Sequence, residues 1–210
     1  MTKMLCGYRV LDITQFVAGP TCSRLMAELG ADVIKVELTP IGDHARRSGL
    51  KSRKKEYANC TQSTYFAQHN HSKRSLAINL KSNEGQALIK KLIERSDVLV
   101  ENFAPGVIGR MGLSYDAVKK INPEIIMCSI SFAGQEGPLA NEPGFDYMAA
   151  AYAGITEMIG ENDRSPSQVS MAVGDSATGI SAAMAVAVAL LHRERTGEGQ
   201  FIDCSLLDTY

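Results

Sequence analysis

A strand-helix-strand pattern near the N-terminus constrains the fold more than any other feature of this chain. Tyr8 to Ile13 is an apolar run typical of a buried strand. Gly19-Pro20 predicts a helix with proline at its first position, and the helical period continues to Leu29 before Gly30, a typical C-cap. Ala31 to Glu37 is a second strand candidate. Such a unit predicts two parallel strands joined by a right-handed crossover.

The same alternation continues through most of the chain. Further strands are predicted at Ser75–Leu80, Asp97–Glu101, Glu124–Ile130 and Gln200–Cys204. Helices are predicted at Asn83–Arg95, with Leu88, Leu92 and Ile93 facing inward, and at Tyr115–Ile121. The pattern therefore predicts an α/β fold, a Rossmann-like and mostly parallel sheet with flanking helices, in one domain over residues 1–210.

The strand ends predict where a ligand binds. In open parallel sheets ligands bind in a crevice beyond the carboxyl ends of the strands. This principle brings together four segments: Gln15–Ala18, the residues after Glu37, Asn102-Phe103 and Ser131–Gly134. We expect one crevice among them.

Composition narrows the class of protein. The chain is 45% hydrophobic with a net charge of −1, so a globular core is expected, and nucleic acid or an anionic membrane is not an expected partner. Five scattered cysteines without CxxC pairs fit a reducing compartment, and no targeting segment is visible, which predicts a cytoplasmic protein. The apolar run from Ile180 to Leu191 is too short and too rich in alanine for a membrane span, so a buried core helix is expected.

The stretch Met171–Gly179 carries the main candidate for chemistry. It is interpreted as a short β run, then Gly174, then Asp175 at the start of a long apolar helix. Asp175 has two interpretations. In the first it is an N-cap whose carboxylate accepts hydrogen bonds from the first backbone N–H groups, and in the second it is a nucleophile whose negative charge the helix dipole favours. In the second case, the same N–H groups are candidate oxyanion donors. The preference of aspartate for N-cap positions favours the first interpretation on spacing alone, but the motif does not decide between the two.

Several other kinds of site are excluded or disfavoured. The first strand-helix turn, Thr14–Gly19, holds one glycine instead of the G-x-G-x-x-G of a dinucleotide site. The chain has neither a P-loop nor the G-x-S-x-G of a serine hydrolase. His69 and His71 have no carboxylate or cysteine at ligand spacing, so no metal site is expected.

An ordered set of motifs resembles the family III CoA-transferases, which include formyl-CoA and carnitine CoA-transferases and α-methylacyl-CoA racemase. The motifs are Val10–Thr14, Ala18–Pro20, Leu29–Glu37, Gly42-Asp43, Asn70–Ser75, Val100–Gly106, Arg110–Leu113, Gly137-Pro138, Gly144–Asp146, Gly174-Asp175 and Thr196–Gln200. They cover essentially the whole chain in order.

The resemblance implies a reaction and its residues. Asp175 would attack the thioester of an acyl-CoA, and CoA would pass through an aspartyl-CoA thioester to a small carboxylic acid. Coenzyme A is then a substrate, with no tightly bound cofactor. Residues similar to family CoA contacts are Phe16, Val17, Ala18, Ser72, Asn102, Phe103 and Arg110. The basic residues Arg46, Lys73 and Arg74 are further candidates for contacts with the nucleotide phosphates, although such clusters are more often a solvated face than a binding site.

Three departures from the family pattern bear on the reaction. Leu38 replaces a basic residue of formyl-CoA transferase, and Phe132-Ala133-Gly134 replaces Gly-Tyr-Gly. Phe145 stands where racemases have a histidine, which favours a transferase over a racemase or epimerase. The non-enzyme alternative is an inactive, truncated CoA-binding domain.

The resemblance also implies that more of the protein lies beyond Tyr210. Family members are longer, with a small domain, a C-terminal return and two subunits interlocked as a homodimer. The chain is therefore expected to be the N-terminal part of the large domain. The regions Ala172–Asp175 and Phe201–Leu207 are similar to members that use dicarboxylates, a weak pointer to the substrate.

Overall fold

The computed structural model describes residues 3–48, 63–168 and 171–210, and these form a parallel sheet flanked by helices. The strands are β1 (Arg9–Asp12), β2 (Asp32–Leu38), β3 (Arg74–Ile78), β4 (Val98–Glu101), β5 (Ile126–Ser131) and β6 (Phe201–Ser205). The helices are α1 (Ala18–Glu28), α2 (Thr64–Asn70), α3 (Asn83–Ile93), α4 (Val107–Arg110), α5 (Tyr115–Ile121), α6 (Asp146–Tyr152), α7 (Ile155–Met158), α8 (Val173–Thr196) and α9 (Leu206–Thr209), with a 3-10 helix at His44–Arg47.

The six described strands run in the order β3-β2-β1-β4-β5-β6, and every neighbouring pair is parallel. This is the strand order of a Rossmann-like doubly wound sheet. The α/β prediction is therefore confirmed. The order reverses between β1 and β4, so the loops after these two strands diverge to opposite sides and leave a crevice at their carboxyl ends.

Alternating strand residues build a separate core on each face of the sheet. On one face Val10, Val100 and Cys128 pack with α1 and α8. On the other face Leu11 and Leu99 pack with the buried sides of α3 and α5. Because both faces are covered, the central strands are apolar at nearly every position, which explains their continuous hydrophobic runs.

Some helix details differ from the predictions. α1 begins at Ala18, so Pro20 is its third residue and not its first; a proline there still loses no intrahelical hydrogen bond. In α3 Leu88 is 42% exposed, whereas Ile89 is fully buried, so the predicted inward face was misplaced at that position. Helices α2 and α6 were not predicted, because neither of these seven-residue segments carries a full apolar period in the sequence.

Helix α8 is less buried than expected. Its inner face, with Ala182 and Val186 fully buried, packs against α1 and the sheet. The outer face leaves Ile180, Met184 and Val188 more than half exposed, so the prediction of a wholly buried core helix was wrong. In the described part of the chain, α8 is the one helix long and apolar enough to cross a membrane, and 39% of the apolar window is buried. Core helices pass the same test, so this is weak evidence for a span.

The contact between α1 and α8 depends on Gly179. A Cβ at this position would lie 2.6 Å from the Ala18 carbonyl oxygen and 2.7 Å from the Thr21 Cβ. A backbone atom cannot give way as a flexible side chain does. Glycine therefore lets the two helices approach closely above the sheet.

Gly179→Ala is expected to lower the free energy of unfolding by about 1–3 kcal/mol, because the steric cost outweighs the gain in helix propensity. Gly109→Ala is the matched control, since a Cβ at Gly109 meets no atom within 4 Å and gains the same propensity. Urea unfolding of both variants measures the difference. A Gly179 variant as stable as the Gly109 variant would contradict the close packing.

Candidate active site

The crevice predicted at the strand ends is present. It is a cavity of about 250 Å³ where the loops after β1, β4 and β5 meet the start of α8. Its lining is mostly apolar and includes the predicted nucleophile Asp175: Phe16, Val17, Ala18, Asn102, Phe103, Ala104, Pro105, Ile130, Ser131, Phe132, Glu142, Pro143, Gly144, Phe145, Asp175 and Leu206. The crevice is thus a largely apolar chamber with Asp175 in its wall.

Hydrogen bonds across the strand reversal shape this crevice. The Gln15 N–H donates to Asn102 Oδ1 at 2.8 Å, and Asn102 Nδ2 donates to the Gln15 carbonyl at 2.7 Å. Directly below, the Phe103 N–H donates to Glu101 Oε2 at 2.8 Å. Burial raises the pKa of Glu101 to about 7. These bonds fix the loops after β1 and β4 against each other.

Phe16 has a strained backbone that a buried carboxylate holds. Its φ is 64°, in the left-handed region that a bulky residue rarely adopts. The Phe16 N–H donates to Asp43 Oδ1 at 3.1 Å, and Asp43 is paired with Lys35 at 2.9 Å. The Phe16 ring stacks on His44 and meets the Phe145 ring edge-on. Phe16 therefore forms a fixed aromatic wall of the crevice.

A second cavity of about 450 Å³ adjoins the first along Phe103, which lines both. Its walls come from the loop after β2, the end of β3 and helix α4, and they include His44, Lys81 and Arg110. Arg110, one of the CoA contacts predicted from the sequence, lines this second cavity. Five other predicted contacts line the first cavity together with Asp175: Phe16, Val17, Ala18, Asn102 and Phe103.

The remaining predicted contacts lie outside these two cavities. Arg46 forms a bidentate pair with Glu37, both N–O distances being 2.6 Å, and its guanidinium lies over the Phe66 ring. Arg74 is paired with Asp32 at the amino end of β2. Ser72 is exposed in the turn before β3. The sequence also clusters basic residues from Lys51 to Lys55, and these lie outside the described residues.

Lys73 is buried instead of exposed. Its Nζ donates to Asp12 Oδ2 at 2.9 Å, to the Pro20 carbonyl at 3.0 Å and to Asn70 Oδ1 at 2.8 Å. Burial lowers the pKa of Lys73 to about 8, against the opposing effect of Asp12. Burial works to raise the pKa of Asp12, but Lys35 and Lys73 hold it well below its usual range. All donors of Lys73 are thus committed inside the fold.

Asp175 is the third residue of α8 and not its N-cap. The N-cap is Ala172, in a left-handed conformation and without a side-chain cap, and no strand precedes it from Met171 onward. The predicted β run at 171–173 and the N-cap interpretation of Asp175 were therefore wrong. Among the described residues, none donates a hydrogen bond to the Asp175 carboxylate.

The cap comes from elsewhere in the chain. The Asp175 N–H donates to Asp146 Oδ1 at 2.8 Å, and the Gly174 N–H donates to the Tyr210 hydroxyl at 3.0 Å. That hydroxyl in turn donates to the Asp146 carboxylate at 3.0 Å. These two N–H groups are therefore occupied and are not free as oxyanion donors. Asp146 and Tyr210 were missed by sequence reasoning, although the Gly144–Asp146 motif was a signal for the first of them.

Burial and the nearby Asp146 raise the pKa of Asp175 to about 7. Desolvation disfavours the charged form, and a second carboxylate adds repulsion. Near pH 7 this group is partly ionised, and its carboxylate is more basic than an ordinary aspartate. Such a perturbed carboxyl group in a cleft is typical of a catalytic site.

Within residues 3–48, 63–168 and 171–210, no group of three His, Cys, Asp or Glu side chains is arranged to hold a metal ion. His69 bonds to Thr21 Oγ1 at 3.2 Å, and burial lowers its pKa to about 4.

Comparison with known proteins identifies the family. The succinyl-CoA:glutarate CoA-transferase of Mus musculus is 42% identical over 99% of this chain and 46% of its own length. The formyl-CoA:oxalate CoA-transferase of Afipia carboxidovorans is 39% identical over 100% of the chain and 48% of its own length. A CAIB/BAIF family protein from Brucella suis is 36% identical in structure comparison, with a TM-score of 0.90, over the whole chain and 55% of that protein.

The chain spans about half the length of the curated relatives that it matches. The model of CoA-transferase family III matches residues 5–210, nearly the whole sequence. The parallel sheet, the crevice at its strand reversal and these matches agree, and the chain belongs to CoA-transferase family III.

Proposed function

We propose that this protein moves coenzyme A from an acyl-CoA donor to a small carboxylic acid, with Asp175 as the nucleophile. The observation that carries the proposal is the Asp175 carboxylate in the wall of an apolar crevice, without a hydrogen-bond donor among the described residues and with its pKa raised to about 7. A desolvated carboxylate is a stronger nucleophile than a hydrated one.

The reaction begins when an Asp175 carboxylate oxygen attacks the thioester carbonyl carbon. The C–S bond breaks, CoA leaves as a thiolate, and a mixed anhydride forms. The thiolate then attacks Cγ of Asp175 and releases the donor acid as a carboxylate, which leaves an aspartyl-CoA thioester. The acceptor acid takes CoA through the same two steps in reverse. Each intermediate remains activated, so the free energy of the thioester is conserved.

The two cavities suggest how CoA would bind. The thioester end would enter the first cavity, between Phe16, Asn102 and Phe103, and the nucleotide end would extend into the second, beside Arg110. The proposed contacts do not include Lys73 or Arg74, whose charges are already paired. Leu38 lines the second cavity, so CoA would contact an apolar side chain there in place of a basic one.

The relatives suggest the substrate class. Those named above are described as acting on succinyl-CoA with glutarate and on formyl-CoA with oxalate. We therefore propose a small dicarboxylic acid as one of the two acids. A cytoplasmic location and a homodimer are further proposals from the family resemblance, and the exposed apolar face of α8 at Ile180, Met184 and Val188 is consistent with burial by another part of an assembly.

Trapping tests the nucleophile. The protein is incubated with succinyl-CoA and treated with hydroxylamine, and the peptide containing Asp175 is analysed by mass spectrometry. A hydroxamate on Asp175 is expected, since an anhydride or thioester at that carboxyl group reacts with the amine. Absence of the adduct across several acyl-CoAs would contradict the proposal. Exchange of the α-proton of a 2-methylacyl-CoA for deuterium, without adduct, would indicate a racemase instead.

A further inference from the structure

Asp146, the first residue of α6, connects three elements around the start of α8. It is only 7% exposed. Its Oδ1 accepts the Asp175 N–H at 2.8 Å and the Tyr210 hydroxyl at 3.0 Å, and that hydroxyl accepts the Gly174 N–H at 3.0 Å. A side chain at Gly174 would overlap both the Tyr210 ring and Asp146 Oδ1. The first turn of α8 is therefore held in one position by a buried carboxylate from another helix.

This arrangement separates the backbone of Asp175 from its carboxylate. The backbone N–H is satisfied by Asp146, whereas the carboxylate receives no donor from the described residues. The charged or titratable groups that face it are Asp146 from α6, Tyr65 from α2 and Tyr210 directly after α9. Glu142 lies in the same crevice wall. No cation is among the described residues that line this crevice.

We propose that Asp146 is a positioning residue that points the Asp175 carboxylate into the crevice and, through its negative charge, makes that carboxylate a stronger nucleophile for the thioester. The inference rests on the proposed function, because it assigns a role in the first covalent step. Asp146 forms no bond to the substrate. It acts on the attack of an Asp175 oxygen at the thioester carbon, in which the C–S bond breaks and CoA leaves as a thiolate.

The negative charge of Asp146 has two opposing effects on the reactivity of Asp175. A neighbouring negative charge disfavours ionisation of Asp175, so fewer molecules carry the carboxylate at low pH. The carboxylate that does form is more basic, and nucleophilic reactivity rises with basicity. Removing the charge of Asp146 should therefore accelerate the reaction at low pH and slow it at high pH.

The test is Asp146→Asn, which keeps an oxygen to accept the Asp175 N–H but removes the charge. Adduct formation from succinyl-CoA is followed by rapid acid quench and intact-protein mass spectrometry between pH 5 and pH 9. The midpoint of the rate profile is expected to fall by about one pH unit. The variant should be about threefold slower than the parent above pH 8 and about twofold faster below pH 6, so that the two profiles cross. A merely structural defect would lower the rate at every pH, and that result would overturn the proposal.

Tyr210→Phe is the matched control. It removes a hydroxyl from the same network but keeps the Asp146 charge, so the midpoint should not fall. An equal fall in both variants would overturn the role of the charge.

Titration of the Asp175 carboxyl group by ¹³C NMR, assigned with Asp175→Asn, gives a readout that needs no turnover. If the titration midpoint of Asp175 is raised in the parent protein and falls in Asp146→Asn, the proposed role of Asp146 is supported. This holds even if no adduct forms, because the absence of an adduct would contradict only the proposed transferase activity. A parent midpoint near the ordinary value of an aspartate would overturn the proposal without any variant.

Discussion

Asp175→Asn is expected to reduce covalent adduct formation from succinyl-CoA by roughly 10³-fold or more, because an amide cannot replace the attacking carboxylate. CoA binding should persist, since the proposed CoA contacts are made by other residues, such as Phe16, Asn102 and Arg110. Stopped-assay mass spectrometry measures the adduct, and equilibrium dialysis measures CoA binding. Asp163→Asn, in an exposed loop, is the control for the substitution itself. Adduct formation by Asp175→Asn within tenfold of the parent rate would contradict the role of this residue.

The same variant should be more stable than the parent protein above neutral pH. The folded state holds the Asp175 proton more tightly than the unfolded chain, because its pKa is raised from 3.8 to about 7. The parent therefore loses stability as the pH rises from about 4 to about 7. Asparagine removes this cost, so a gain on the order of 2 kcal/mol is expected at pH 8 and little gain at pH 4. Urea unfolding at the two pH values measures it, and an equal effect at both would contradict the raised pKa.

Asp12→Ala is expected to cost about 3–5 kcal/mol of folding free energy, the largest loss of stability that we predict. The carboxylate of Asp12 is completely buried and lies against two ammonium groups, Lys73 at 2.9 Å and Lys35 at 3.9 Å. It also accepts hydrogen bonds from Thr14 and Ser23. In the alanine variant the buried ammonium groups of Lys73 and Lys35 lose the carboxylate that neutralises them, which costs more folding free energy than the loss of an exposed ion pair.

The measurement for Asp12→Ala is urea unfolding at pH 7, with Asp163→Ala as the exposed control, expected to change stability by no more than about 0.5 kcal/mol. Because the pKa of Asp12 is lowered in the folded state, its stabilising contribution is present above the pKa of the unfolded chain and is lost as the pH falls. The difference in unfolding free energy between the parent protein and Asp12→Ala should therefore become smaller at acidic pH. A cost below about 1 kcal/mol at pH 7 would show that the buried cluster contributes little.

The destabilising effect of Asp12→Ala should also reach the crevice. Lys35 Nζ donates to the Thr14 carbonyl and is paired with Asp43, which accepts the Phe16 N–H. The buried charges thus connect the core to the strained backbone at Phe16. Lys73, one of the basic residues predicted to contact the nucleotide phosphates, is itself part of this buried network through its ion pair with Asp12.

The local elements were largely predictable, because hydrophobic period and turn residues are properties of neighbours in sequence. The boundaries of α5 were predicted as observed, and the first strand-helix-strand unit was predicted to within two residues at each end. The crevice followed from the strand ends by topology alone. Short helices without a full apolar period, such as α2 and α6, had no comparable signal.

The sequence by itself thus determined an α/β sheet, the crevice at its strand ends, and an aspartate at the start of a long helix beside that crevice. Only the tertiary structure decided which group caps that helix, since Asp146 and Tyr210 are 29 and 36 residues away from the N–H groups that they accept. It also decided that Lys73 is buried and that one face of α8 is exposed. The physical reason is that burial and ion pairing depend on distances between remote segments, and no local period in a sequence encodes them.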